Sequence, residues 1–289
     1  MRGRLMGIVA SLVLVLYTVL LFVLMSPLIL LKLLTRPLPP LPALDRALVA
    51  VPDTWNRLNL TGLQLINRTR WRISMPDGLR LQAWYLVLCN HQSWVDILVL
   101  QRCLQGKAPF LKFFIKRQLI WVPLVGLVWW ALDFPFLRRR GGASAVRDLA
   151  VTRASCARFR ELPTSVMSFA EGTRRTAAKH QAQNSPYRQL LRPRAGGVMM
   201  ALDALGDKLD AVLDVTIVYP DGVPSFVDAL CGRLHEVRVH IERRPVPRPD
   251  GDQPMAAAEV QAWLNELWQD KDERFEQLAG SADSSSRPS

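Results

Sequence analysis

One stretch of the chain has the residue types for acid–base chemistry: Asn90-His91-Gln92-Ser93-Trp94-Val95-Asp96. The short apolar run Tyr85–Cys89 before it reads as a buried strand, and a polar loop opens at Asn90. Ser93 can cap the helical stretch that follows to about Leu104. His91 then stands at the C-terminal edge of a strand, where α/β sheets place their ligands. On a continuous helix, residues five apart point about 140° away from each other. With His91 in the loop and Asp96 in the first turn, the two side chains can meet. A carboxylate that accepts from one ring nitrogen leaves the other nitrogen basic, which is a general-base arrangement. The bland alternative is a capping histidine beside a helix-N-terminal carboxylate.

A second stretch, Phe169-Ala170-Glu171-Gly172-Thr173-Arg174-Arg175, also follows a strand, Ser165–Phe169. Gly172 lets backbone approach a ligand closely. Thr173 and Arg174 supply donors suited to phosphate, which arginine grips with a two-pronged fork. A surface turn with two solvated arginines is the plain alternative.

These sites need a scaffold. Strands alternate with helices: Val212–Tyr219 and Leu234–Ile241 read as strands, Ala143–Arg160 and Gly197–Leu205 as helices, and Asp133–Leu137 as a short strand. Trp71–Ser74 and Leu79–Trp84 flank the turn Pro76-Asp77-Gly78 and read as a hairpin. A polar loop runs from Phe169 to Arg194. Val260, Trp263, Leu264, Leu267, Trp268, Phe275 and Leu278 form an apolar stripe on a last helix. The expected fold is α/β: a mixed, largely parallel sheet flanked by helices, with an N-terminal membrane-anchoring helix or helical hairpin.

That anchor is the run Leu5–Leu31, 27 positions without a charge. A span needs about 20 apolar residues. The run is too long for a secretory leader and has no good cleavage site. Pro27 could split it into two short helices that dip into one leaflet. Arg2 and Arg4 on one flank balance Lys32 and Arg36 on the other, so local charge does not orient it. The Arg surplus and four isolated cysteines suit a reducing compartment, which points to a bacterial inner or plasma membrane with the catalytic domain facing the cytoplasm. Thr35–Pro42, with four prolines, makes a stiff linker. Gln118–Leu132, uncharged and holding Trp121, Trp129 and Trp130, is either a buried helix or a membrane-surface one. The expected organisation is an anchor over 1–36, a linker and lead-in helix over 37–70, a catalytic domain over 71–280 and a disordered tail over 281–289.

Thirty-seven Lys and Arg against 25 Asp and Glu leave a net charge of +12. Charge of this sign implies an anionic partner: nucleic acid, a membrane surface or a phosphorylated substrate. No helix-turn-helix or aromatic RNA-binding signature is present, so nucleic acid is set aside. A non-enzymatic basic protein that binds anionic lipid stays as an alternative. No Cys-x-x-Cys or other metal-ligand cluster is present. His180, His235 and His240 have no partners at ligand spacing and read as ordinary surface or core residues.

Taken together, the two stretches resemble the paired signature of the glycerolipid acyltransferases: Asn-His-x-x-x-x-Asp, then Phe-x-Glu-Gly-Thr-Arg roughly eighty residues later. Lys116, Pro123 and Gly126, then Phe136-Leu137-Arg138-Arg139, then Val215–Pro220 resemble the family's other blocks in order, so the likeness runs from Tyr85 to Pro220. Arg192–Gly197 looks closest to the lysophospholipid acyltransferase branch. Ala170 departs from the family's usual proline. The resemblance implies direct transfer of an acyl group from a thioester to the free hydroxyl of a lysolipid such as 1-acylglycerol 3-phosphate. His91 would be the base and Asp96 its orienting partner. Asn90 or nearby N–H groups would face the oxyanion. Glu171, Gly172, Thr173 and Arg174 would bind the glycerol phosphate, Arg138 or Arg139 would add a second phosphate contact, and Pro220 would border the substrate. The absence of Gly-x-Ser-x-Gly argues against an acyl-serine route. No cofactor is implied. Acyl-CoA or acyl carrier protein would be the co-substrate, and the bilayer a partner.

Overall fold

The computed structural model describes residues 2–36, 38, 41–134, 136–137, 160–248 and 255–280. The expected helix Ala143–Arg160 except for Arg160 itself, Arg138, Arg139, linker prolines Pro37, Pro39 and Pro40, and the tail over 281–289 lie outside the described residues.

Two helices lead. α1 (Arg2–Thr35) is one continuous helix of 34 residues, with Pro27 inside it. α2 (Pro42–Asn67) turns back along α1. Proline at the first position of α2 suits a helix start, because that N–H has no partner in the helix anyway. The α/β unit follows: β1 (Arg70–Ser74), β2 (Tyr85–Cys89), α3 (Val95–Leu104), β3 (Leu111–Phe113), β4 (Ile115–Lys116), a 3-10 turn (Arg117–Trp121), α4 (Val125–Ala131), β5 (Phe136–Leu137) and β6 (Ser165–Ser168). Then come α5 (Ala177–Ala182), α6 (Ala195–Leu205), β7 (Ala211–Val218), α7 (Phe226–Leu230), β8 (Glu236–Arg244) and α8 (Ala257–Gly280).

The main sheet has six strands in the order β1-β8-β7-β2-β6-β3. β7, β2, β6 and β3 run parallel, β8 lies antiparallel to β7, and β1 pairs parallel with β8. β2 and β7 are buried at every position, as strands covered on both faces must be. Tyr85, Val87 and Cys89 face α3, while Leu86 and Leu88 face α6 and α8.

Two local expectations need correction. The hairpin at Pro76-Asp77-Gly78 does not form. Gly78 does adopt a left-handed turn (φ 76°), but β1 pairs with β8, and residues 75–84 carry the chain from the sheet's edge to its centre. The loop after β6 is also not wholly irregular. It contains α5, whose first turn is capped by the Thr176 hydroxyl accepting from the Lys179 N–H.

α1 packs along its whole length. Its start meets Cys231 and Gly232, through Gly3, Met6 and Gly7. At mid-length the Tyr17 hydroxyl bonds to Asn59, and the Trp55 indole N–H donates to Thr18 Oγ1 at 2.8 Å. Met25 and Ile29 join a core with Leu44, Leu48, Ala131, Leu132 and Phe134. At its end the buried Lys32 ammonium donates to Asp45, at 2.6 Å, and to Asp133. The opposite face is a continuous exposed apolar strip that includes Leu5, Leu12, Leu16, Leu20 and Leu34. Gln118–Leu132 divides in the same way: Trp129 and Trp130 pack against the α1 core, while Trp121 is 85% exposed.

Candidate active site

Three parallel strands end side by side, so the loops after β2, β6 and β7 converge at one edge of the sheet. The first loop carries His91. Its Nδ1 lies 2.8 Å from Asp96 Oδ2, in the first turn of α3. The same oxygen accepts the N–H groups of Gln92 at 2.7 Å and Ser93 at 2.8 Å. The other, Oδ1, accepts the Tyr219 hydroxyl at 2.7 Å, at the end of β7. Asp96 is completely buried. Such a carboxylate is an acceptor only, so the proton of the histidine pair sits on Nδ1 and the lone pair on Nε2. His91 Nε2 makes no hydrogen bond among the described residues. Burial, with Asp96 beside it, holds the Tyr219 phenol well above its ordinary range, so its hydroxyl stays a donor.

The second loop holds the first in place. The His91 N–H donates to Glu171 Oε1 at 3.1 Å, and the His91 carbonyl accepts the Arg175 N–H at 2.8 Å. Glu171 Oε2 accepts the Leu191 N–H at 3.2 Å. The His91 ring stacks on Phe169. Burial raises the Glu171 carboxyl to about 8, against the pull of its two backbone donors and of Lys271. Ser93 caps α3 only in part: its hydroxyl accepts the Val95 N–H at 3.1 Å and donates to the Pro224 carbonyl at 2.5 Å, while Trp94 occupies the N-cap position.

His91 is thus in direct contact with both Asp96, through its ring, and Glu171, through its backbone N–H. Gly172, Thr173 and Arg174 lie on the same rim. Gly172 adopts φ 70°, which a side chain would strain, and Arg194 Cδ lies 3.6 Å from where its Cβ would be. Thr173 Oγ1 accepts from Lys179 Nζ at 2.6 Å, and the Arg174 guanidinium sits 5.1 Å over the exposed Trp94 ring. Pro220 is exposed next to Tyr219. Asn90 points elsewhere. It is fully buried, and its amide accepts the Ile217 N–H at 2.8 Å and donates to the Ile217 carbonyl at 2.9 Å.

Tyr219, Phe169 and Trp94 are contributors that sequence reasoning passed over. All three sit inside or beside the motif blocks, where aromatic residues at strand ends read as core. Only the meeting of three strands gives them partners. Cys89, next to Asn90, is buried with its thiol pushed well above the usual range, which suits packing rather than nucleophilic work. His180 Nε2 lies 2.7 Å from the Tyr187 carbonyl and folds its own loop.

The profile of the acyltransferase family matches residues 61–220, more than half of the chain. The chain belongs to the acyltransferase family. Both loops of the site lie inside the matched span. Among relatives of this acyltransferase chain is lysocardiolipin acyltransferase 1 of Danio rerio, 29% identical over 241 residues, which are 78% of this chain and 60% of that protein. Human 1-acyl-sn-glycerol-3-phosphate acyltransferase gamma is 28% identical over 200 residues, 65% of this chain and 51% of that one. A probable 1-acyl-sn-glycerol-3-phosphate acyltransferase 5 of Arabidopsis thaliana is 30% identical over 224 residues, 72% and 56% of the two chains. The chain therefore spans between half and three fifths of these relatives' lengths. The fold is that of the 1-acyl-sn-glycerophosphate (LPA) acyltransferase PlsC from Thermotoga maritima: TM-score 0.60, 17% identity, 98% of this chain and 100% of that one.

Proposed function

We propose that this chain is a membrane-bound O-acyltransferase that moves a fatty acyl group from a thioester to the free hydroxyl of 1-acylglycerol 3-phosphate, giving phosphatidic acid. The observation that carries the reading is the His91–Asp96 pair, with Nε2 free of hydrogen bonds among the described residues, Nδ1 held by Asp96 and one ring face stacked on Phe169. Nε2 takes the proton of the acceptor hydroxyl as the oxygen attacks the thioester carbonyl. The new C–O bond forms, the C–S bond breaks, and the imidazolium returns its proton to the leaving thiolate. Asp96 stabilises the imidazolium and keeps the ring's tautomer. Arg174 and Thr173, with the backbone at Gly172, hold the acceptor's phosphate, and Arg138 or Arg139 adds to them. Glu171 and Asn90 serve by bracing the loops, since both are buried. The donor is acyl-CoA or acyl carrier protein.

The name of the Danio rerio relative favours one further reading, transfer to a lysophospholipid with a larger head group. A single assay separates the two: purified protein with radiolabelled acyl donors of both kinds, scanned over lysolipid acceptors. His91→Ala is expected to abolish transfer while the protein stays folded. Retained turnover in that variant would sink the mechanism.

The proposed location is the cytoplasmic side of a bacterial inner or plasma membrane. α1 is long and apolar enough to cross a bilayer. Yet both its ends and its middle are tied to the rest of the chain, and α2 beside it carries exposed Arg46 and Arg57. Crossing would draw those charges into hydrocarbon. A helix lying in one leaflet, apolar strip downward, avoids that cost.

A further inference from the structure

Behind the site, on the α8 side of the sheet, lies an ammonium group with no access to water. Lys271 is 1% exposed. Its Nζ donates to the Val215 carbonyl at 2.6 Å, to the Leu88 carbonyl at 3.3 Å and to the buried Asp214 carboxylate. An ammonium has three protons, and all three have partners. The Trp268 ring lies 5.2 Å away and completes the enclosure. Burying a charge is costly unless it is paired and hydrogen-bonded. Lys271 meets both conditions, and it does so between two particular strands.

Leu88 faces Asp214 across the β2/β7 ladder, and Cys89 faces Val215. Two residues further on, the Asn90 amide clamps Ile217 at both its N–H and its carbonyl. The Gln92 side chain then donates to the same Ile217 carbonyl at 2.8 Å. Tyr219, two residues past Ile217, reaches Asp96. The seam between β2 and β7 is therefore laced by side chains from Lys271 up to the catalytic pair. We propose that Lys271 is a positioning residue: its buried ammonium locks the end of β2 to the middle of β7 in register and so fixes His91 relative to Asp96 and Tyr219. The inference rests on the acyltransfer reading for its kinetic half only.

Two variants of the full chain in detergent test this. Lys271→Met removes the ammonium and leaves Asp214 buried without it. Asp214→Leu/Lys271→Met replaces both charges with apolar groups, a change that buried ion pairs commonly tolerate. The double variant is expected to melt close to the wild type. Its kcat should fall by roughly tenfold or more, as for a reacting group slightly out of place, with KM for both substrates nearly unchanged. Deuterium uptake should rise in peptides covering 85–92 and 211–219, but not in one covering 165–168. Wild-type kcat in the double variant overturns the proposal, and so does a loss confined to KM. Failure of the double variant to fold overturns it as well, because Lys271 would then determine the fold rather than the site. If the wild type acylates no lysolipid, the acyltransfer reading fails, and deuterium uptake alone decides the brace.

Discussion

The imidazole of His91 lies flat on the ring of Phe169, with centroids 3.8 Å apart and planes 9° from parallel. The two residues belong to different motifs on adjacent strands, β2 and β6. The stack fixes the rotation of the imidazole about its own axis, while the Asp96 contact fixes its direction. Removing the stacking ring should therefore cost turnover more than binding. Phe169→Ala is expected to lower kcat by about 10- to 100-fold, the range for a misplaced catalytic group, with a small change in acceptor KM. Steady-state kinetics with mixed micelles measure this. An unchanged kcat would show that the stack is incidental.

Tyr219 donates the only side-chain hydroxyl that reaches Asp96 Oδ1 among the described residues. Tyr219→Phe leaves that oxygen buried with one donor fewer. The expected loss of stability is about 1–3 kcal/mol, the usual penalty for an unsatisfied buried polar atom. Turnover should fall as well, because Asp96 gains freedom to turn away from His91. Thermal or denaturant unfolding gives the first quantity and initial rates the second. A variant as stable and as fast as the wild type would remove Tyr219 from the site.

The Arg174 guanidinium rests on Trp94, one on each motif loop. Such a contact contributes about 0.5–1 kcal/mol at an exposed position. Trp94→Ala should raise the KM for the lysolipid by a few-fold and leave the KM for the thioester nearly unchanged. Arg174→Ala should act in the same direction and more strongly, since it removes the charge that meets the phosphate. Equal losses for both substrates would count against Arg174 as an acceptor ligand.

The parts of this architecture that were readable in the sequence are those with local signatures. Tyr85–Cys89 is apolar at every position because the strand is covered on both faces. His91 and Asp96 stand at the spacing that a loop-to-helix turn requires. What was not readable depends on partners far along the chain. Pro76-Asp77-Gly78 has turn chemistry, but nothing local says that β1 pairs with β8, more than 160 residues on. Asn90 looks like a site residue until Ile217 arrives beside it. Lys271 did leave a trace. It falls at an inward position of the α8 stripe, between Trp268 and Phe275, where a helix of this kind carries an apolar side chain.

Glu171 couples proton binding to folding. Its carboxyl stands at about 8 in the folded chain against an ordinary value of 4.5, chiefly through burial. Of the nearby charges, Lys271 lowers this value and Asp96 raises it. The folded state therefore holds a proton that the unfolded state releases between those two values. Its contribution to stability is fully present below the unfolded value and is lost as pH rises through the folded one. The melting temperature should accordingly drift down as pH is raised toward about 8, and this contribution should level off above that. Glu171→Gln is neutral at every pH and should flatten the drift over the same window. It still offers one acceptor oxygen to the His91 or Leu191 N–H, so the variant is expected to fold. Melting curves from pH 5 to pH 9 for both proteins make the comparison, roughly bracketing the window. A variant that keeps the wild-type slope would assign the drift to another group.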